Sequence, residues 1–485
     1  MLQKIALKLN HRTSLHTLIA IFLAILFGYA INAFPPFHIG LLLLFFTTPF
    51  FLVQPKFLLY FFIVIVLFFP NVGYGVSEQE SVLNIYWKGT GVFHFSIVNM
   101  LLWLVFIFAL FQKGLKKQEW GYCNLYKLFL LFNGLFMLFI LWGIGKGISI
   151  WDATSYYGVI NVTNMTLLVI AMLVFVNKEE ELDQLKLIFI VSVTVRGIWG
   201  IIRFFFFGGD PANPYATLEK ISVKVTFFDI GDSLIACIAL FYAAWVLMNK
   251  HNGSSKKATL FYLVVIICLF NIVFSYRRTG WLGLVFAALW FATSVTKGKR
   301  LVFLASALSI FIPVLSIVSL GRFGLQKGEG VLRLFPDVFA RGSFNYTQGR
   351  FVELYMAIKT IKNNLLFGVG PWGGYQQMSN ILIFGGFEGF GMFTHSAVIH
   401  MLLKMGVIGL LVFLAMFIGY AYFWITKRYT LSSGTRGFAE ASFAGFLFFV
   451  PDMLLGTPII EFRHMALLGF CIAIPYISYN IKPSS

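Results

Sequence analysis

The sequence predicts an all-α polytopic membrane protein, and its composition and the length of its apolar runs support this fold class. Hydrophobic residues make up 59% of the 485 residues and charged residues only 12%, whereas a soluble domain carries roughly 25% charge. The mean hydropathy is +0.84. The apolar runs are about 17–25 residues long, as bilayer-spanning helices require, and lack the shorter alternation of membrane β-strands. Because lipid offers no hydrogen bonds to the backbone, such runs predict helices.

The apolar runs predict fourteen spans, or twelve if some of them are re-entrant. The predicted ranges are 14–33, 37–53, 56–70, 95–112, 125–145, 160–177, 185–206, 229–248, 258–275, 279–296, 300–320, 394–424, 439–457 and 462–479. A basic segment precedes the first run without a small-residue cleavage site, which predicts an uncleaved first helix. The cysteines show no metal-ligand spacing and are interpreted as small core residues.

Lysine and arginine clusters in the short loops predict the orientation of the chain. The clusters lie at 113–117, 250–257, 297–300 and 427–428, and cytoplasmic loops carry an excess of these residues. Counting spans from a cytoplasmic N-terminus places all four clusters, and both termini, in the cytoplasm. This arrangement accounts for the net charge of +18 without a nucleic-acid partner.

Longer segments are then expected on the outer side, at 71–94, 146–159, 207–228 and 321–393. We divide the chain into N-terminal transmembrane helices (1–320), a large outer loop (321–393) and C-terminal transmembrane helices (394–485). The large loop carries seven basic and four acidic residues, which fits a polyanionic partner. Apolar residues at helical spacing over 350–366 predict an amphipathic helix near the membrane surface.

Two arginines lie inside one predicted span. Arg196 and Arg203 are seven residues apart, so they share one helix face within about 20°. A charged side chain within a span costs a few kcal/mol even on the lenient insertion scale. Such a cost favours an anion site that opens outward. The alternatives are an internal ion pair for Arg196 and snorkelling to the surface for Arg203.

A second pair of arginines lies at the outer turn of a tight helical hairpin. Arg277 and Arg278 are adjacent there, in FSYRRTGWLG. Guanidinium groups match phosphate oxygens bidentately and stay charged at any working pH. The pair therefore indicates phosphate binding, and anchoring to lipid headgroups is the alternative.

His395 begins the span that follows the large loop, in FTHSAVIHMLLKMGVIGLL. An imidazole at the water side of a helix could orient an acceptor hydroxyl, remove its proton, or donate to a phosphate. A purely structural histidine is the alternative. GVGPWG at 368–373 matches a dinucleotide-binding pattern, but it contains a proline and follows no predicted strand, so a nucleotide site is not predicted.

Other charged residues near the outer ends of spans are candidates for ion pairs. Asp229 and Asp232 open one span and could pair with an arginine or bind a sugar. For the group near the final outer turn, internal ion pairing is the default interpretation; its members are Asp452, Glu461, Arg463 and His464. No histidine-rich metal constellation is visible in the sequence.

Three segments resemble the O-antigen ligase family. His395-Ser396, nine residues, and then Gly406-Val-Ile-Gly409 fit the family motif H-[NSQ]-x9-G-x-x-[GTY] at every position. YRRTGWLGL resembles the S-R-[GT]-x hairpin, with Arg278 aligned to the arginine. Upstream, GRFVELYMAIKTIKNNLLFGVGPWGGY resembles the R…W…A…I…P-L-x-G-x-G-x-x-x-[FY] pattern, although Leu354-Tyr355 and Asn364-Leu365 replace its usual aromatic and proline positions. The resemblance covers roughly residues 185–425.

The resemblance implies a glycosyltransferase of the C type in a bacterial inner membrane, with a periplasmic loop over the active site. Such enzymes take an undecaprenyl-pyrophosphate-linked glycan as donor, use no metal or cofactor, and invert the anomeric carbon. By motif matching, His395 and Arg278 carry over as catalytic residues, and Arg196 carries over by its place in the order of spans. The implied residues for the donor pyrophosphate are Arg196, Arg203, Arg277, Arg278 and Arg350.

The acceptor distinguishes two related enzymes. Ligases pass the glycan to a sugar hydroxyl of lipid A–core in lipopolysaccharide biosynthesis, whereas polymerases pass the growing chain to the next lipid-linked repeat unit. Both share the histidine motif, and its near-complete match favours a ligase. A flippase or transporter for the same lipid would show internal repeats, which the sequence lacks. A structural membrane protein of the shape or division type, or one of its peptidoglycan-polymerising relatives, is the remaining alternative.

Overall fold

The structure is a computed structural model. It describes residues 54–70, 85–86, 95–117, 119–213, 224–249, 255–296, 298–301, 303, 309, 316, 347–376, 390–431 and 433–481.

The described residues form helices and one short pair of strands. The first helices are α1 (Pro55–Phe68), α2 (Ile97–Lys116), α3 (Tyr126–Gly145), α4 (Ile150–Ala153), α5 (Ile160–Phe175), α6 (Glu179–Phe206), α7 (Ile230–Asn249), α8 (Ser255–Val273) and α9 (Arg278–Ser294). The later elements are α10 (Thr347–Asn363), β1 (Tyr375–Gln376), β2 (Phe390–Gly391), α11 (Ala397–Lys427), α12 (Ser433–Leu455) and α13 (Phe462–Asn480). The strands pair antiparallel.

The helices confirm the predicted fold class of an all-α polytopic membrane protein. Seven described helices, namely α2, α3, α6, α7, α11, α12 and α13, are long and apolar enough to cross a membrane. Three shorter apolar helices, α1, α5 and the greater part of α8, lie at further predicted spans. The predicted spans 14–33 and 37–53 and most of 300–320 lie outside the described residues.

The core lies around the last helix. In α13, 94% of an apolar 18-residue stretch is buried inside the protein, whereas the corresponding share in α3 is 33%. This contrast suits a helix bundle in lipid, because the outermost helices keep apolar side chains toward hydrocarbon while the central one contacts only protein. All four cysteines are free and buried, as the sequence predicted.

Polar contacts define the two ends of the bundle. At one end, Thr279 at the start of α9 donates to Asp452 near the end of α12 over 3.4 Å. The turn after α12 reaches the start of α11, where the Thr457 hydroxyl donates to the carbonyl of Thr394. We call this the His395 end. At the opposite end, Ser294 donates to Glu440 over 2.8 Å, which joins the end of α9 to the start of α12.

A helix, α10, is present where the sequence predicted an amphipathic helix over 350–366, and it begins and ends three residues earlier, at Thr347 and Asn363. Ala357 and Ile361 are buried against Leu403 of α11, whereas Tyr355 and Ile358 are 66% and 41% exposed. The helix thus packs on α11 through a narrow face, because α11 supplies an apolar partner that a surface helix would find only in lipid.

Candidate functional site

His395 forms a hydrogen-bonded pair with a buried glutamate. Its Nδ1 lies 2.6 Å from Oε2 of Glu353, and its backbone N–H donates to the other carboxylate oxygen. The Glu353 side chain is fully buried, while the His395 side chain remains 23% exposed. With Nδ1–H donating to the carboxylate, the Nε2 atom carries the lone pair. The pair therefore has the geometry of an oriented general base.

Two local features hold this pair in place. Ser396 caps α11, and its side chain accepts a hydrogen bond from the backbone N–H of Ile399, so the imidazole lies just before the first helical turn. Glu353 occurs four residues before Ala357 and eight before Ile361 on α10, which places it on the buried face of that helix. Packing of α10 on α11 thus brings the carboxylate to the imidazole.

α11 is broken at Gly406, ten residues after the cap. Gly406 has φ +64° and ψ −166°, a combination adopted almost only by glycine. The segment that follows α10 fills the break: Val369 donates to the Leu403 carbonyl over 2.8 Å, and Val407 donates to the Leu365 carbonyl over 2.9 Å. These bonds satisfy backbone groups that the break would otherwise leave unpaired within the membrane.

Two further ionisable side chains of α11 each contact a backbone carbonyl in another segment of the chain. His400 Nε2 lies 3.3 Å from the carbonyl oxygen of Gly158, in the turn between α4 and α5. The Lys404 ammonium donates to the carbonyl of Gly373, in the segment after α10. Both side chains are completely buried. The first part of α11 therefore contacts three parts of the protein: α10, the α4–α5 turn and the segment after α10.

A buried ion network lies at the His395 end. The Arg463 guanidinium is 2.6 Å from Asp229 and 2.8 Å from Asp232. His464 lies between two carboxylates, with Nε2 at 2.6 Å from Asp229 and Nδ1 at 2.9 Å from Glu461. The ion pairing expected from the sequence for these residues is present.

Arg196 belongs to this network. Its Nε lies 2.5 Å from Oδ1 of Asp232 and its NH2 atom lies 2.8 Å from Oδ2, and it also donates to the carbonyl of Phe68. Only 6% of the residue is exposed. The structure therefore shows the internal ion pair that was the alternative for Arg196. A catalytic role for this residue stays a prediction, and its charge is already balanced by a carboxylate.

The other candidate arginines lie at or near the same end. Arg203 pairs with Asp210 over 3.0 Å. Arg277 precedes α9 and donates through Nε to the Phe228 carbonyl over 2.6 Å, while Arg278 is the first residue of α9 and is partly buried. Arg350 lies in the first turn of α10, and its side chain is outside the described part of the protein.

His395 and Arg278 are brought to one end of the bundle by contacts of their neighbours. Thr279 contacts Asp452, and Thr457 contacts Thr394, so both residues adjoin the end of α12 and the turn that follows it. Asp452 also lies within electrostatic reach of Arg277 and His464. The predicted cationic and imidazole groups thus share one end of the protein.

Replacing Arg196 with Gln is expected to destabilise the protein by about 3–5 kcal/mol, because it leaves Asp232 buried with one of its two cations removed. The thermal midpoint of the purified protein in detergent measures this effect, with the exposed Lys359→Gln as control. The double variant with Asp232→Asn should be less destabilised than the sum of the two single variants. An unchanged midpoint in Arg196→Gln would contradict a structural ion pair.

Sequence reasoning missed three residues of this site: Glu353, His400 and Lys404. A signal was available for each. Glu353 is an acidic residue at helical spacing from the apolar Ala357 and Ile361. His400 and Lys404 are ionisable residues within an apolar span, and such residues mark functional positions by default. The partner segments, however, lie far away in the chain: His400 and Gly158 are 242 positions apart.

The fold and the site define a class: a polytopic α-helical membrane protein with a histidine–glutamate pair at one end of its bundle. Residues 263–414 match the family model described as O-antigen ligase, and this match supports the O-antigen ligase superfamily. The match includes Arg278, Glu353, His395 and Gly406. It supports a relation to the ligase and polymerase family of membrane enzymes, whose members are glycosyltransferase-like. No curated protein sequence matches the chain.

Proposed function

We propose that the protein is an inverting membrane glycosyltransferase that acts on the periplasmic side of a bacterial inner membrane. It transfers a glycan from undecaprenyl pyrophosphate to a sugar hydroxyl, as an O-antigen ligase that uses lipid A–core as acceptor and requires no metal. The observation that carries this proposal is the His395–Glu353 pair at the start of α11, within the matched family region.

The proposed reaction is a single displacement. Nε2 of His395 accepts the proton of the acceptor hydroxyl while the hydroxyl oxygen attacks the anomeric carbon of the donor. The bond between that carbon and the phosphate oxygen breaks, and undecaprenyl pyrophosphate leaves with the electron pair. Glu353 holds the Nδ1–H tautomer and stabilises the imidazolium that forms. Attack opposite the leaving group inverts the anomeric carbon, and the histidine then releases its proton to water.

Fixed cations stabilise the charge that develops on the pyrophosphate. We propose that Arg278, with Arg277 beside it, supplies this stabilisation, because both lie at the positive end of the α9 dipole. One well-placed donor of this kind is worth about 2.7–4 kcal/mol of transition-state stabilisation. Arg196 contributes less directly in this scheme, since Asp232 already balances its charge. It instead holds Asp232 within the buried ion network.

Deletion of the gene followed by glycolipid profiling tests the proposal. A ligase deletion strands long glycan chains on the lipid carrier and leaves lipid A–core without them. Single repeat units on the surface acceptor would instead indicate a polymerase, and unchanged pools would overturn the assignment as a glycosyltransferase. Complementation with wild-type protein should restore the long-chain surface glycolipid, whereas an Arg278→Ala variant of equal abundance should not.

A further inference from the structure

An aromatic surface adjoins His395. Phe393 lies two residues before the histidine, and their ring centroids are 5.3 Å apart. The rings of Tyr157 and Phe393 are nearly parallel, with an interplanar angle of 4° and 6.0 Å between their centroids. The ring centroids of Tyr156 and Tyr157 are 4.1 Å apart. All three rings are half-buried. We call Tyr156, Tyr157 and Phe393 the aromatic ledge.

Contacts with α11 fix the position of the ledge. Tyr156 and Tyr157 precede Gly158, whose carbonyl contacts the buried His400 over 3.3 Å. The same turn abuts the segment after α10, because a Cβ on Gly158 would lie 3.1 Å from the carbonyl oxygen of Pro371. The tyrosines are therefore held close to α11 at His400, which is five residues after His395.

The composition of the ledge suits a sugar ring. The faces of aromatic rings carry negative charge density, and the C–H groups on one face of a pyranose are polarised toward positive by the neighbouring oxygens. Tyrosine adds a hydroxyl that can hydrogen-bond a sugar hydroxyl beside the stacked ring. The three rings of the ledge remain partly accessible, whereas the paired rings of Phe438 and Phe470 are buried in the core.

We propose that the aromatic ledge binds a pyranose ring of the acceptor glycan and sets the approach of its hydroxyl to His395. The proposal rests on the proposed function for the identity of the base. It commits to the acceptor because the ledge adjoins the imidazole, whereas the donor pyrophosphate is assigned to the arginines at the start of α9.

Binding of acid-released core oligosaccharide, prepared from the lipid A–core of the deletion strain, tests the ledge without any transfer. Saturation-transfer NMR with the purified full-length protein is expected to show contact between oligosaccharide and wild type. Tyr157→Leu removes the aromatic face at similar volume and should weaken binding about 3- to 10-fold. Tyr157→Phe should recover most of the binding. The exposed Tyr355→Leu on α10 is the matched control and should bind as wild type does.

Kinetics in proteoliposomes separate the two substrates. Tyr157→Leu is expected to raise KM for the lipid A–core acceptor by the same factor, with a smaller change in kcat and none in KM for the lipid-linked donor. Equal binding by Tyr157→Leu and wild type, or a rise in donor KM alone, would overturn the acceptor ledge. Oligosaccharide binding that depends on Tyr157 in a protein without transfer activity would refute the proposed function and leave the ledge standing.

Discussion

His395→Ala is expected to reduce glycan transfer by about 10²–10⁴-fold, the contribution typical of a positioned general base. The imidazole is 2.6 Å from Glu353 and partly exposed, so it is both oriented and accessible to an acceptor. The measurement is the initial rate of transfer in proteoliposomes that contain the purified variant. Tyr355→Leu on the same side of the protein should retain the wild-type rate.

Glu353→Gln extends this prediction to the orienting carboxylate. The amide keeps the shape of the side chain but cannot stabilise an imidazolium as a carboxylate does, and its NH₂ group can force the opposite histidine tautomer. We expect a rate loss of about 10²-fold or more. Because both residues act as one unit, the double variant should be no slower than His395→Ala alone. Additive losses, or full activity in His395→Ala, would refute the pair as the base.

Gly406→Ala is expected to have the largest effect on folding. The added Cβ would collide with the Leu366 carbonyl and lie 2.5 Å from the backbone nitrogen of Phe367. It would also occupy a backbone conformation that costs other residues of order 1–3 kcal/mol before any clash. Since backbone cannot move aside as a flexible side chain does, we expect a loss of more than about 3 kcal/mol.

Size-exclusion chromatography after heating in detergent measures this loss as a lower thermal midpoint. Gly134→Ala in α3 is the matched control, because nothing lies within 4 Å of its Cβ position and alanine is the better helix former. Its midpoint should stay unchanged or rise. An equal midpoint for Gly406→Ala and wild type would show that the segment after α10 is not docked in the break.

The break at Gly406 also explains the spacing of the family motif in physical terms. Nine residues separate Ser396 from the glycine, which opens α11 where the Leu365–Val369 segment enters. The motif was visible in the sequence, which also predicted a helix over 350–366; α10 ends at Asn363 and α11 breaks at Gly406. The docking of the segment after α10 on α11 could not be predicted, because its hydrogen bonds join residues whose spacing follows no helical or strand period.

Ion pairing was partly predictable. Acidic and basic residues near the outer ends of spans had to find partners, since isolated charges are costly in lipid. Asp229 and Arg463 are 234 residues apart, however, and the sequence offered Asp229 no unique partner. Arg196 illustrates the consequence: its place in a span indicated a functional anion site, while the structure pairs it with Asp232.

Composition and run length were enough to establish an α-helical membrane protein and its buried cysteines, because these depend on local hydrophobicity and on the absence of water. His395 and Arg278 could also be found locally, through short motifs. Packing alone decided that Glu353 orients His395 across 42 residues and that the arginine inside α6 is neutralised. Charge pairing depends on distance in space, and in a helix bundle that distance is determined by which helices become neighbours.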